Sequence, residues 1–190
     1  VYPMDKLLPD EYWPQLGQIP EPPQFLYVRG TIPGPDLKLV TIVGSRKMSQ
    51  YGKDVVDHLV AGLADYPVAI VSGLALGVDG AVHRAALKYG LPTIAFPGSG
   101  LDDGALYPAT HQWLAQDILK SGGALVSEFP PTEKGHLHFF PQRNRIMVGV
   151  SHAVVIIEAG LKSGTLITAR LAADYNRELL IVPHSLFSDG

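Results

Sequence analysis

The sequence predicts an α/β protein of extended Rossmann-like, doubly wound architecture. Its sheet is mostly parallel, with about six or more strands and helices on both faces. Three observations carry that prediction. Short β-branched runs alternate with amphipathic stretches about a dozen residues long, the spacing of right-handed βαβ units. The runs are continuously apolar rather than alternating, as befits strands covered on both faces. Glycine and hydroxyl residues gather where the runs end, which in an open α/β sheet is the ligand-facing rim.

The elements follow in order. Residues 1–24 form an arm, because proline at 3, 9, 14, 20, 22 and 23 forbids a long helix or a central strand. Tyr2, Leu7, Tyr12 and Trp13 are placed to pin that arm against the core unit, residues 25–190. Phe25–Arg29 reads as a short strand closed by a Pro33-Gly34-Pro35 turn. The parallel strands are Leu39–Val43, Val68–Val71, Thr93–Phe96, Ala124–Val126, Ala153–Ile157 and Leu179–Val182. Between the first two, Ser49–Asp65 lays Val55, Val56, Leu59, Val60 and Leu63 along one helical face. Val78–Tyr89 does the same with Val82, Ala85, Ala86 and Tyr89, and Gly90 is placed to end it. Ala109–Lys120 and Thr165–Tyr175 read as two further helices.

Composition narrows the function classes. The 190 residues are 46% hydrophobic and 17% charged, enough apolar side chain for a core and too little charge for a disordered tract. With no cysteine, a disulfide framework, a thiolate nucleophile and a Cys-ligated zinc are excluded. No apolar run approaches the ~18–20 residues that span a bilayer, so a cytoplasmic address and no membrane partner are expected. A net charge of −3 rules out coating nucleic acid by global basicity. The local distribution differs. Val40–Lys53 carries Arg46, Lys47 and Lys53, and Lys134–His152 carries Lys134, Arg143 and Arg145, yet neither stretch holds a carboxylate. By chance the two would share about three acids, so they point to an anion site made in two pieces.

The first piece belongs to the strand ends. Gly44-Ser45-Arg46 follows the first parallel strand, and the stretch containing Gly73 and Gly77 follows the second. Gly98-Ser99 follows the third, and Ser163-Gly164-Thr165 follows the fifth. Glycine lets backbone N–H groups approach a phosphate, and each following helix aims its free N–H groups at the same rim. Neither G-x-G-x-x-G with a ribose-binding acid nor G-x-x-x-x-G-K-[ST] occurs, so a dinucleotide cofactor or a P-loop is not expected. The second piece is His136–Ile146, where Arg143, Asn144 and Arg145 follow Phe139 and Phe140. Cations for phosphates beside aromatic faces for bases suit single-stranded nucleic acid. Catalytic groupings are scarce. Asp102-Asp103 sits in a Gly-rich turn, His136-x-His138 lacks metal-ligating partners, and Glu158 at the end of the fifth strand could orient an arginine or act as a base. Neither a metal nor a cofactor is expected.

Several ordered motifs carry a resemblance. They are Gly44-Ser-Arg, Ser72-Gly-Leu-Ala-Leu-Gly-Val-Asp79, Gly98-Ser-Gly-Leu-Asp102, Tyr107-Pro108, Ser127-Glu-Phe-Pro130, Phe140-Pro-Gln-Arg-Asn-Arg-Ile146 and Ser163-Gly-Thr-Leu-Ile-Thr-Ala169. This series, over about residues 25–183, resembles the DNA-processing protein A (DprA/Smf) family. The resemblance implies a DNA-binding recombination mediator rather than an enzyme. Such a protein is a homodimer that binds single-stranded DNA and loads the RecA recombinase onto incoming strands in natural transformation. Carried over to this chain, the pocket comprises Gly44, Ser45, Arg46, Arg143 and Asn144, with Arg145 nearby. Lys134 and Phe139 or Phe140 flank it, and the loops at Gly73, Gly77, Gly98, Ser99 and Ser163–Thr165 supply backbone donors. Pro183 is followed by His184 where the family usually has glycine, and the chain stops short of the family's frequent C-terminal helical domain. The alternative reading is a nucleoside-monophosphate-processing enzyme of the related phosphoribohydrolase type, on the passing likeness of Ser163-Gly164-Thr165 with Glu158.

Overall fold

A computed structural model describes residues 3–160 and 163–183. Its strands are β1 (Met4–Leu7), β2 (Leu26–Gly30), β3 (Lys38–Val43), β4 (Val68–Ser72), β5 (Thr93–Ala95), β6 (Ala124–Ser127), β7 (Ala153–Ile156) and β8 (Glu178–Ile181). They form one eight-stranded sheet in the order β1-β2-β6-β5-β4-β3-β7-β8. From β6 to β8 every pairing is parallel, while β2 joins β6 and β1 joins β2 antiparallel. The fold class is the one expected.

Both faces are covered, which is why the strands are apolar throughout. Helices α2 (Gln50–Leu63) and α3 (Val78–Lys88) bury Val56, Val60, Val82, Ala85 and Ala86 against Ile42, Ile70 and Val155. On the other face α5 (Phe139–Val150) sets Ile146, Met147 and Val150, and α6 (Gly164–Asp174) sets Ala172, against Val43, Val71, Val154 and Ile156. Helix α4 (Gln112–Lys120) packs Leu114, Ala115 and Ile118 over Ala95 and Leu125. Among the described residues no helix is long and apolar enough to cross a membrane.

Four local readings change. The arm is more ordered than its prolines suggest. It contains the edge strand β1, a single turn α1 (Pro9–Tyr12) and a 3₁₀ turn at Pro14–Gln18, and it buries Trp13, Leu16 and Ile19 against the α5 face. Tyr12 is exposed and takes no part in the pinning, and Tyr2 lies outside the described residues, as does His184. The helix expected to start at Ala109 opens with a 3₁₀ turn (Ala109–His111) before becoming α-helical at Gln112. Strand β8 is not covered on both faces: it is the sheet edge, with Leu180 55% and Ile181 64% exposed. Finally, the stretch from Phe139, read as a binding segment without assigned structure, is the helix α5.

The sheet order creates a switch point. From β3 the chain steps outward through β4, β5 and β6, and then returns to β7 on the other side of β3. The loops after β3 and β7 therefore diverge and leave a crevice beyond the carboxyl ends of those strands.

Candidate nucleic-acid interface

That crevice has a volume of about 620 Å³ and is lined mainly from three segments, with Ala75 of the β4–α3 connection and Asp79 in the first turn of α3 completing it. Gly44, Ser45, Arg46 and Lys47 come from the loop after β3, and Phe140, Arg143, Asn144 and Met147 from α5. Ser163, Gly164 and Thr165 come from the start of α6, with Thr168 one turn on. Helical geometry explains the α5 set. Residues i, i+3, i+4 and i+7 share one face, and that spacing runs through Phe140, Arg143, Asn144 and Met147. Ser163 caps α6 by accepting the Thr165 N–H at 3.1 Å, which leaves the positive end of an 11-residue helix dipole at the wall. Arg46 is exposed at the mouth, its guanidinium 4.6 Å over the Phe140 ring. Arg46 and Arg143 thus share one side of the molecule.

Arg143 differs from Arg46. It is 5% exposed, and its Nη1 donates to the carbonyls of Gly73 (2.6 Å) and Phe96, while its Nε donates to Asn144 Oδ1 at 3.0 Å. Asp79, equally buried, accepts the Gly73 N–H at 3.2 Å. The Gly73 peptide therefore lies between a cation on its carbonyl and a carboxylate on its N–H. A Cβ at Gly73 would overlap both groups, so the side-chain-free position follows from this lock. Burial costs each ion more than the other returns. Burial pulls Arg143 down to about 10 despite the attraction of Asp79, so it stays protonated at neutral pH. Burial likewise holds the Asp79 carboxyl above its usual range despite Arg143. Arg143 is the crevice floor, joining the ends of β4 and β5 to α5.

The other expected loop residues build the rim from behind. Gly77 has φ +74°, and a Cβ there would strike the Ser45 carbonyl, while Val78 N–H donates to that same carbonyl at 3.1 Å. Gly98 packs against Phe140, where a Cβ would lie 2.5 Å from the ring. Ser99 is fully buried; its hydroxyl donates to the Gly100 carbonyl and accepts the Tyr107 N–H, both at 3.0 Å. None of Gly73, Gly77, Gly98 and Ser99 lines the crevice.

Arg145, Phe139 and Lys134 also stand apart from it. Two residues on from Arg143 is roughly 200° around a helix. Arg145 accordingly faces away and pairs with Glu128 at 2.5 Å, both largely buried. Burial raises the Glu128 carboxyl, and Arg145 opposes that rise. Phe139 stacks on Phe129, ring centres 3.8 Å apart, beside His136 and His138. Lys134 is exposed on the segment before α5. Of the two phenylalanines, Phe140 is the one at the site.

The candidate catalytic groups are engaged elsewhere. Glu158 accepts hydrogen bonds from both the Ser49 N–H (3.0 Å) and the Ser49 hydroxyl, at the N-terminus of α2. Asp103 pairs with the buried Arg29 at 2.9 Å. Sequence reasoning missed Asp79 in the floor and His111, whose ring bonds the carbonyl of Leu74, a buried residue at φ +58°, and it counted Lys47 among the basic residues without placing it at the wall. Asp79 did carry a signal: it is the acid in the glycine-rich stretch after β4.

Comparison with known proteins shows the family. The family described as DNA recombination-mediator protein A matches residues 6–190. The chain belongs to that family. Protein Smf of Escherichia coli K12 is 40% identical over 179 residues, covering 94% of this chain and 47% of that protein. The chain thus spans about half the length of that relative. DNA processing protein A of Streptococcus pneumoniae superposes with a TM-score of 0.87 at 36% identity, over 99% of this chain and 65% of that one. DNA processing protein A of Helicobacter pylori, described for its single-stranded DNA binding mode, gives a TM-score of 0.85 at 29% identity, over 98% and 83%. The same recombination-mediator family accounts for the ordered motifs of the sequence, and it does not favour a phosphoribohydrolase.

Proposed function

We propose that this recombination-mediator chain binds single-stranded DNA in the crevice and presents the strand to RecA, acting as a cytoplasmic homodimer in natural transformation and without catalysis. The observation that carries the reading is the meeting of Arg46, Lys47, the α6 N-terminus and the Phe140 ring in one crevice. Cations and a helix N-terminus take phosphates, and an aromatic face takes a base. At about 620 Å³ the crevice is the size of a small-ligand site, room for a nucleotide or two of a single strand and too small for a duplex. Family membership and the single-stranded DNA binding of the Helicobacter pylori relative support it.

The test is a mobility shift with single- and double-stranded oligonucleotides of one length at two salt concentrations. Single strands are expected to bind more tightly, with affinity falling as salt rises. Arg46→Ala should weaken binding to all single-stranded sequences alike and lower the salt slope by about 0.7. Its stability should change by less than ~1 kcal/mol, because an exposed cation–π contact contributes about 0.5–1 kcal/mol. Unchanged single-strand affinity in Arg46→Ala would refute the assignment. A variant that binds DNA normally yet no longer promotes RecA filament growth would separate the RecA contact from the DNA site.

A further inference from the structure

A second cationic groove adjoins the crevice. It lies between α2 and α3, has a volume of about 350 Å³, and includes Gln50, Lys53, Arg84 and Lys88 with the carboxylates Asp54 and Asp57. The charges do not cancel locally. Both oxygens of Asp57 are taken, one by Lys88 Nζ and one by the Tyr89 hydroxyl, each at 2.8 Å. Asp54 accepts from the Gln50 side chain at 2.8 Å. Lys53 and Arg84 form no ion pair among the described residues. Arg84 is an exposed residue of α3 whose guanidinium folds back next to Gly80, and partial burial there lowers its pKa with no carboxylate opposing the shift. A partly dehydrated guanidinium without a counterion is a position that an incoming anion stabilises.

The groove also follows the crevice along the chain, Lys47 lining one and Met48 the other. Arg46 likewise lines the crevice, and Gln50 the groove. A strand leaving the crevice past Arg46 and Lys47 crosses the first turn of α2 and meets Lys53 one turn on. We propose that the α2–α3 groove is a second phosphate subsite, in which Lys53 and Arg84 hold phosphates of the strand that runs out of the crevice. The inference rests on the crevice being a single-stranded DNA site and extends it from one or two nucleotides to a track.

The experiment compares a dinucleotide and a 20-mer of deoxythymidine by fluorescence anisotropy across a salt series, on the 190-residue chain. Each single-strand phosphate contact adds about 0.7 to the salt slope, or about fivefold in affinity between 1 M and 0.1 M salt. Lys53→Ala/Arg84→Ala should therefore weaken the 20-mer about 25-fold at 0.1 M salt, lower its slope by about 1.4 and leave the dinucleotide unchanged. The charge-conserving Lys53→Arg/Arg84→Lys variant should keep the parent slope, which separates charge from packing. Parent-like binding of the 20-mer by the alanine variant overturns the proposal. So does an equal loss for both lengths, which would put these residues in the crevice itself. Selective displacement of the 20-mer by inorganic phosphate, beyond that of chloride at equal ionic strength, would assign the groove to a free phosphate ligand and also overturn it. Failure of the underlying reading looks different: Arg46→Ala would then leave dinucleotide binding intact.

Discussion

Arg143→Ala removes the cation from under the crevice and leaves three groups without it. These are the Gly73 carbonyl, the Phe96 carbonyl and the buried Asp79 carboxylate, and Asn144 Oδ1 loses its Nε donor as well. Removing one member of a buried charge pair costs about 3–5 kcal/mol, because the remaining ion has no water to turn to. Against a typical domain stability of 5–15 kcal/mol that is a large fraction. With a urea m-value of roughly 2–3 kcal/mol/M, the unfolding midpoint should fall by about 1–2 M. Urea titration followed by circular dichroism reads this directly. Asp79→Asn in the Arg143→Ala background removes the stranded charge and should restore about 1–3 kcal/mol, a coupling that a double-mutant cycle isolates. Strand binding falls in Arg143→Ala because the floor of the crevice is lost. A variant with the parent midpoint and abolished single-strand binding would refute this reasoning and make Arg143 a direct phosphate ligand instead.

Two further outcomes follow from the same geometry. Gly77→Ala should cost at least about 2 kcal/mol, since its φ of +74° strains any side chain and the added Cβ meets the Ser45 carbonyl; a thermal melt lowered by roughly 4–8 °C checks it. His83 is fully buried against Thr93 at 2.8 Å, and burial lowers its pKa to about 3, so it is neutral in the folded chain at neutral pH. Unfolded, it takes a proton below about 6.5, so its contribution is complete above that pH and is lost as pH falls toward 3. At pH 5 the loss is about 2 kcal/mol, at 1.36 kcal/mol per pH unit, and His83→Gln should flatten that part of the stability profile in urea titrations.

Much of the fold was legible because parallel strands buried on both faces leave an unbroken apolar signature, and Ile42 and Val43 on opposite faces of β3 show why. Strand β8 carries the same signature at the sheet edge, where Leu180 and Ile181 are exposed, so apolar character alone does not report cover. The loop after β3 was legible as well, because Arg46 sits in a stretch without carboxylates at a strand end, although Gly44 itself is also required by its packing on Val78. What could not be read was α5. Its first turn is Phe-Phe-Pro, and proline is tolerated there because the first helical N–H groups have no partner within the helix. Without the helix, Arg143 and Arg145 look like a pair of neighbouring cations. With it they point roughly 200° apart, one into the floor toward Asp79 and the other to Glu128. The division of labour between the two phenylalanines has the same origin, one helical step of about 100°.

The arrangement of Phe140 bears on how a strand would enter. One face of its ring already carries the Arg46 guanidinium, Gly98 packs against the ring, and Tyr107 tilts toward it with centres 5.4 Å apart. A base can stack on the covered face only if Arg46 moves off it. The contact given up is worth about 0.5–1 kcal/mol at an exposed site, whereas a charge-assisted bond from the same guanidinium to phosphate is worth about 1.5–3 kcal/mol and base stacking about 1–3 kcal/mol. Exchange is therefore most favourable when phosphate and base arrive together. A free base gains the stacking alone and a free phosphate the ion contact alone, and neither collects both terms. An unstacked nucleotide within a single strand supplies the two at once, whereas a duplex keeps its bases paired and out of reach of the ring. Under the proposed function, a preference for single strands would reside in the competition between Arg46 and a base for one aromatic face, as well as in the width of the crevice.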